Sequence, residues 1–213
     1  MKIHALSIAL WVAAASFAVT AKAQNSGWVA TTTSSSTIAS GDYGDGLLIG
    51  INPDNHAVTG YFSASTGQGQ FSCIFYLTGK LGSSSTPIST YFPDTPADKI
   101  KGELVSAPPD GLKVRLSSEH GGCWNVQHFA DDSQPAEFTL VERHPWVSIA
   151  VVRSKRAYFF DTPTSPVHRK AYIVQGDGVG VRAVQSGWLQ VDFVAGGKMA
   201  SGWIRQAEVY PVE

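Results

Sequence analysis

Cys123 is the residue whose type and neighbours could do covalent chemistry. It lies between two histidines in the segment His120-Gly121-Gly122-Cys123-Trp124-Asn125-Val126-Gln127-His128. A cysteine thiolate with a histidine base is the nucleophile pair of cysteine hydrolases, and the cysteine normally starts a helix or lies beside a protonated histidine. Cys123 instead opens a strand-like run with no helical pattern after it. A hydrolase is therefore an alternative, but not the favoured interpretation.

Cys73 offers another explanation of Cys123, because the chain has only 2 cysteines. It shares one face of an alternating, strand-like run with Phe71, Phe75 and Leu77. Two cysteines in an exported chain are expected to pair. A Cys73–Cys123 disulfide would close a loop of about 50 residues and stabilise the fold by roughly 4 kcal/mol. The sequence therefore predicts a disulfide here.

The side chains that follow Cys123 can be placed in the interior in two ways. Unbroken alternation would turn Asn125 and Gln127 inward, which suits a hollow barrel that carries a ligand. If the cysteine precedes the strand proper, Trp124, Val126 and His128 face inward instead. The second arrangement is favoured.

Metal and carboxylate sites are also considered. His120 and His128 would share a strand face only if Gly121-Gly122 left the register intact, and His144 lies further along the chain. The chain has no His-Glu-x-x-His or Cys-x-x-Cys motif. Asp131-Asp132 precedes Ser-Gln-Pro, which is typical of a solvated turn rather than of paired catalytic carboxylates. The sequence predicts no metal, no cofactor and no catalytic residue.

The first residues predict export. Lys2 precedes an apolar run from Ile3 to Val19, and Ala21-Lys22-Ala23 is a small-x-small cleavage site. Residues 1–23 are therefore interpreted as a signal peptide, and the mature chain starts near Gln24. We expect secretion across the inner membrane, a periplasmic location, and no membrane span after cleavage.

The charge balance argues against nucleic acid as a partner. Without Lys2 and Lys22 the chain has 14 basic and 17 acidic residues, so it has no basic excess to bind phosphates. The charges are unevenly divided. Residues 24–144 carry 6 Lys/Arg and 12 Asp/Glu, whereas residues 145–213 carry 8 and 5.

The pattern of the mature chain indicates an all-β protein of two domains. Short alternating runs recur about every ten residues between Gly/Pro/Asn/Asp turns. Residues 24–144 are predicted to form an antiparallel up-and-down barrel or small sandwich with one disulfide. The pattern changes after Arg143-His144-Pro145, and residues 145–213 are predicted to form a second, smaller barrel.

The second domain resembles the bacterial SH3-like (SH3b) domains of exported proteins. The matching runs are Ala157-Tyr158-Phe159-Phe160, Tyr172-Ile173-Val174-Gln175-Gly176-Asp177-Gly178-Val179, Gln185-Ser186-Gly187-Trp188-Leu189-Gln190-Val191-Asp192-Phe193 and Ser201-Gly202-Trp203-Ile204-Arg205-Gln206-Ala207-Glu208-Val209. The resemblance implies a ligand-binding module of the kind that accompanies cell-wall enzymes and envelope proteins. Tyr158, Tyr172 and Trp188 are then candidates for an aromatic binding groove. The alternative is that these three side chains only pack the barrel.

The combined interpretation is an exported, non-catalytic binding protein of the bacterial cell envelope. Its expected partner is an envelope protein or a peptidoglycan fragment, and one form of this function is an inhibitor or immunity-type protein that blocks a wall-degrading enzyme. Two alternatives stay open. The first is a calycin-like carrier of a small ligand inside the first barrel, and the second is a Cys/His cell-wall hydrolase.

Overall fold

Antiparallel strands joined by short turns make up the part of the chain that the structure, a computed structural model, describes: residues 38–211. The predicted signal peptide and most of the leader after it lie outside the described residues. Within residues 38–211 the helical segments are 3₁₀ helices of three residues each. The predicted all-β class is confirmed. No helix in this part of the chain has the length and apolarity needed to cross a membrane.

The first sheet has nine antiparallel strands in the spatial order β8-β7-β6-β5-β4-β3-β2-β1-β9. Consecutive strands are neighbours from β1 to β8, as expected when short turns connect alternating runs. The strands are β1 (Gly41–Asp42), β2 (Leu47–Ile51), β3 (Ala57–Thr66), β4 (Phe71–Lys80), β5 (Thr86–Tyr91), β6 (Ile100–Ala107), β7 (Gly111–Leu116), β8 (Ala136–Thr139) and β9 (Glu142–Arg143).

One segment joins the two edges of this sheet, and the sheet is curled into a barrel-like shape. β8 pairs with β7 and β9 pairs with β1, although only Leu140 and Val141 separate the two strands. The N–H of Leu140 donates to the carbonyl of Asp110 (2.9 Å), and the N–H of Val141 donates to the carbonyl of Asp42 (2.8 Å). Residues 136–143 therefore span the gap between the first and last strands of the meander.

Large apolar side chains fill the interior of the curled sheet. Phe62 lies 5.3 Å from Phe75 between ring centroids, and Phe129 lies 5.0 Å from each of them. Phe138 packs against Phe62 and Phe129 at 5.8 and 6.3 Å. These rings form the centre of the buried core of the first sheet.

The disulfide between Cys73 and Cys123 is present, as predicted, and both cysteines are buried. Cys73 lies on the inward face of β4, and Cys123 starts a 3₁₀ helix that spans Cys123–Asn125. The bond therefore attaches a loop to the middle of the sheet.

The strand-like run predicted after Cys123 does not form a strand, and neither arrangement considered for its side chains is found. Gly122 has φ +87°, so the chain turns before the cysteine. The carbonyl of Cys123 then accepts the N–H groups of Val126 and Gln127, at 2.7 and 2.9 Å. These local hydrogen bonds take the place of the cross-strand hydrogen bonds that a β-strand would form.

The side chains of this loop accordingly do not alternate between inside and outside. Trp124 is 64% exposed and Asn125 is exposed, whereas Gln127 and His128 are half-buried. Val126 is half-buried and packs against the core. Asn125 and Gln127 therefore do not line an interior, and Trp124 does not contribute to the core.

The strands after Pro145 form a four-stranded sheet and a two-stranded ribbon. The sheet has the order β10-β13-β14-β15, and the ribbon is β11-β12. The strands are β10 (Ser148–Val151), β11 (Arg156–Tyr158), β12 (Tyr172–Val174), β13 (Gly178–Gln185), β14 (Trp188–Ala195) and β15 (Lys198–Arg205). They have a core of their own, which includes Val152, Phe159, Ile173, Val179, Val191 and Ile204.

A third buried cluster joins the two sheets, around Trp146. The Trp146 ring covers the Cα of Gly180, and its Nε1 donates to the carboxylate of Asp192. The hydroxyl of Tyr76, on the outer face of β4, donates to the carbonyl of Ile149 in β10 (2.6 Å). The domain boundary predicted between residues 144 and 145 lies next to Trp146 in the sequence.

Candidate functional site

The outer surface of the C-terminal strands carries a row of half-exposed aromatic side chains. Ala157 and Phe159 are buried, so the alternation of the strand turns Tyr158 and Phe160 outward. Ile173 is buried in the same way, which leaves its neighbour Tyr172 outside with 42% of its surface exposed. Backbone alternation thus places these rings at the surface although their neighbours form the core.

The two tyrosines lie opposite each other in the ribbon. Tyr158 of β11 is the direct cross-strand partner of Tyr172 in β12, and their ring centroids are 5.4 Å apart. The imidazole of His168 lies 4.1 Å from the Tyr158 ring. Arg169 holds the loop that carries this histidine, because its Nη1 donates to the carbonyl of Ser201 in β15 (2.7 Å).

Phe160 connects the ribbon to the four-stranded sheet. Its N–H and carbonyl form a two-way bridge with Trp203 of β15, at 2.8 and 2.9 Å. The phenyl ring lies 4.9 Å from Trp188 and 6.0 Å from His168. Gly202 allows this approach, since a Cβ there would lie 2.9 Å from the Phe159 ring. The backbone bridge is the reason that rings from separate sheets form one row.

An arginine lies at each end of this row. The guanidinium of Arg156 lies 4.7 Å from the centroid of Tyr172, and that of Arg205 lies 5.2 Å from the centroid of Trp188. Both arginines are exposed, and each makes a cation–π contact with its ring. We call the row the aromatic ladder, defined as Arg156, Tyr172, Tyr158, His168, Phe160, Trp188 and Arg205.

The charges on the aromatic ladder are mainly positive. The hydroxyl of Tyr158 hydrogen-bonds the Arg156 guanidinium and raises its pKa, so this cation stays charged. Asp161 is close by, but it is engaged by Arg169 at 2.6 Å. Glu208 lies near Arg205, where it accepts the backbone N–H of that residue (3.2 Å), and burial raises the pKa of its carboxyl group. The balance favours an anionic ligand over a cationic one.

The structure brings together the three residues that the sequence predicted for binding. Tyr158, Tyr172 and Trp188 all belong to the aromatic ladder. Sequence reasoning missed Phe160, which the i, i+2 spacing from Tyr158 could have revealed, and it missed His168. No local signal identifies the histidine, because it lies in an irregular loop without periodicity.

The Cys/His chemistry considered for the first domain lacks its nucleophile, because both sulfurs form the disulfide and no cysteine among residues 38–211 is free. His120 is buried, stacks on Phe75 and lies 2.7 Å from the Thr90 hydroxyl through Nε2. Burial lowers the pKa of this imidazole, and the nearby Glu119 opposes the shift. The arrangement describes a neutral histidine in a core.

The histidines considered for a metal site have separate surroundings. His128 contacts Trp124 edge-on at 4.2 Å, and His144 stacks on Trp146 at 4.3 Å. Within the described part of the chain, no three His, Cys, Asp or Glu side chains are grouped as a metal site requires.

The aromatic ladder is therefore a surface suited to noncovalent binding. Comparison of the chain with protein families, with curated proteins and with solved structures finds no match in any of the three. The resemblance to SH3b domains accordingly stays a prediction.

Proposed function

We propose that this chain is an exported, non-catalytic binding protein of the bacterial cell envelope, and that the aromatic ladder binds a cell-wall component. The observation that carries the proposal is the continuous row of half-exposed rings. Each contact along the row, from Arg156 to Arg205, measures between 4.1 and 6.0 Å.

The chemistry of the ladder suits a wall fragment. The C–H faces of a sugar ring pack on aromatic faces, and such packing buries apolar area without displacing the hydroxyl groups from water. Cations at the ends of the row add attraction for acidic groups. A row of rings also offers several adjacent contacts, which suits a repeating polymer better than a compact small molecule.

The disulfide supports the compartment in this proposal. Disulfides form and persist in oxidising compartments such as the bacterial periplasm, and the Cys73–Cys123 bond is consistent with a secreted protein. The predicted signal peptide leads to the same compartment. An inhibitor or immunity-type protein that acts against a wall-degrading enzyme is one form of this function.

The test is co-sedimentation of the mature protein with purified peptidoglycan sacculi. The wild type is expected to sediment with them, and Tyr172→Ala and Trp188→Ala are expected to bind at least about tenfold more weakly, equivalent to about 1.4 kcal/mol. The matched controls are Trp124→Ala and Phe71→Ala, which remove exposed rings outside the ladder. Far-UV circular dichroism confirms that each variant is folded.

Two results would contradict the proposal. One is a wild type that stays in the supernatant when the sacculi are sedimented, whether or not it retains an envelope protein in a pull-down. The other is equal binding by the ladder variants and the two controls. The first would exclude the wall component as the ligand, and an envelope protein retained in the pull-down would then be the partner in its place. The second would exclude the ladder as the site.

A further inference from the structure

We infer that the ligand of the aromatic ladder is a carboxylate-bearing wall fragment, which Arg156 and Arg205 hold by its acidic groups. This inference rests on the proposed function and specifies the chemistry of the ligand. A neutral glycan would contact the rings but would add no anionic partner for either arginine.

The two arginines differ from other arginines of the same chain. Arg143 contacts Asp110 at 3.1 Å, and Arg169 contacts Asp161 at 2.6 Å. Within residues 38–211, no carboxylate lies within 4.0 Å of the guanidinium nitrogens of Arg156 or Arg205. Arg115 and Arg182 also lie within 4.0 Å of a carboxylate, whereas Arg153 donates to the carbonyl of Ala207. Arg156 and Arg205 thus contact rings, where four of the other five arginines in residues 38–211 contact acids.

Their geometry leaves them able to bind a carboxylate. A guanidinium that stacks on a ring uses its flat face, whereas its N–H donors lie in its plane and point outward. Arg156 lies over Tyr172 and also hydrogen-bonds the Tyr158 hydroxyl, and Arg205 lies over Trp188. A guanidinium has five N–H donors, so each retains donors for an acid. Stacking also restricts a long side chain, so less conformational entropy is lost when an acid binds. A bidentate arginine–carboxylate pair is among the stronger polar contacts available at a surface.

The positions of the arginines indicate the shape of the ligand. Arg156 lies over Tyr172 at one end of the row, and Arg205 lies over Trp188 and Phe160 near the other. A fragment that carries acidic groups at two positions, with ring-shaped or apolar groups between them, would contact both arginines and the rings. A glycan that bears acidic peptide substituents at intervals has this pattern.

The experiment compares native sacculi with sacculi whose carboxyl groups have been converted to amides by a carbodiimide and an amine. We expect Arg156→Gln and Arg205→Gln each to weaken binding to native sacculi about tenfold, and the double variant about a hundredfold. On amidated sacculi the wild type should bind as weakly as the double variant does on native ones. Lys198→Gln removes an exposed cation outside the ladder and serves as the matched control.

The conservative replacements Arg156→Lys and Arg205→Lys separate charge from shape. Lysine keeps the charge but not the planar fork, so binding to native sacculi should fall by less than with glutamine. Raising the salt concentration from 0.05 to 0.5 M should weaken the wild type more than the double glutamine variant, because salt screens exposed charges.

The outcomes distinguish this inference from the proposed function. If Tyr172→Ala and Trp188→Ala abolish binding while the arginine variants and amidation have no effect, the ladder binds a neutral wall component and the inference is wrong. If the wild type binds neither preparation, the proposed function fails as well. Unchanged binding of the Arg156→Gln/Arg205→Gln protein to native sacculi is sufficient to overturn the inference.

Discussion

The indole Nε1 of Trp146 donates a hydrogen bond to Oδ2 of Asp192 across 2.9 Å, and the two side chains are 1% and 2% exposed. The other carboxylate oxygen of Asp192 accepts the hydroxyl of Ser201 at 2.7 Å, and Arg182 lies 3.9 Å from it. A buried carboxylate is costly unless its oxygens are paired. Here both oxygens have partners. The hydrogen bond from Trp146 links the residues just before β10 to Asp192 in β14, an inner strand of the four-stranded sheet.

Asp192→Ala should therefore lower the free energy of unfolding by about 3 kcal/mol, because it leaves the Trp146 indole and the Ser201 hydroxyl without an acceptor. Urea unfolding followed by tryptophan fluorescence measures the change. Asp132→Ala is the control, since that carboxylate is 87% exposed in its ion pair with Arg115, and such pairs contribute about 1 kcal/mol or less. Equal losses in the two variants would contradict the prediction.

Gly180→Ala should destabilise the protein by at least about 2 kcal/mol, because overpacking forces neighbouring groups apart. A Cβ at position 180 would lie 2.1 Å from an atom of the Trp146 ring. Gly121→Ala is the matched control, since a Cβ there meets nothing within 4 Å. Thermal unfolding of both variants tests the prediction. Combining Gly180→Ala with Trp146→Leu should cost less than the two separate losses together, because the leucine makes room.

Replacing both cysteines by alanine should lower the free energy of unfolding by about 4 kcal/mol, the chain-entropy value for a loop of this size. Cys73 and Cys123 are separated by 50 positions in the sequence. Adding a reductant should destabilise the wild type by a similar amount and leave the double alanine variant unchanged. A wild type indifferent to the reductant in urea unfolding would show that the bond contributes little.

The stability of the protein should fall as the pH drops below about 6.5, the ordinary pKa of histidine. Burial lowers the pKa of His120, so the unfolded state takes up a proton at a pH where the folded state does not. Stability is therefore fully present above the unfolded pKa and decreases as the pH falls toward the folded value.

His120→Gln removes this contribution and isolates it from the others. Burial raises the pKa of the Asp177 and Glu208 carboxyl groups, which gives a contribution of opposite sign as the pH falls. The difference in unfolding free energy between the wild type and His120→Gln should accordingly shrink between pH 7 and pH 5. A difference that stays constant over this range would exclude a neutral, buried His120.

Features that depend on local alternation could be predicted from the sequence. The short alternating runs predict the all-β class, and Cys73 faces inward in its alternating run as expected. The partner of Cys73 was also predictable, because a chain with 2 cysteines allows only one intramolecular bond. In each case a short-range pattern or a count decides the structure.

The loop after Cys123 could not be predicted in this way, because distant contacts decide its shape. The disulfide anchors its start, and the carboxylate of Glu119 accepts the N–H groups of Phe129 and Ala130 at its end, both at 2.8 Å. The alternation of apolar residues therefore does not predict which side chains of the loop are buried, and Trp124 faces solvent. The same limit applies to His168, because Arg169 holds its loop through bonds to Phe159, Asp161 and Ser201.

The segment 136–143, which joins both edges of the first sheet, also couples their opening. Its first half protects the amides of β7 and its second half those of β1. Detaching this segment would expose both edges in a single event, although the two strands lie at opposite ends of the meander. Native-state hydrogen exchange should therefore show β1 and β7 opening with one common free energy, as one cooperative unit rather than as two fraying ends.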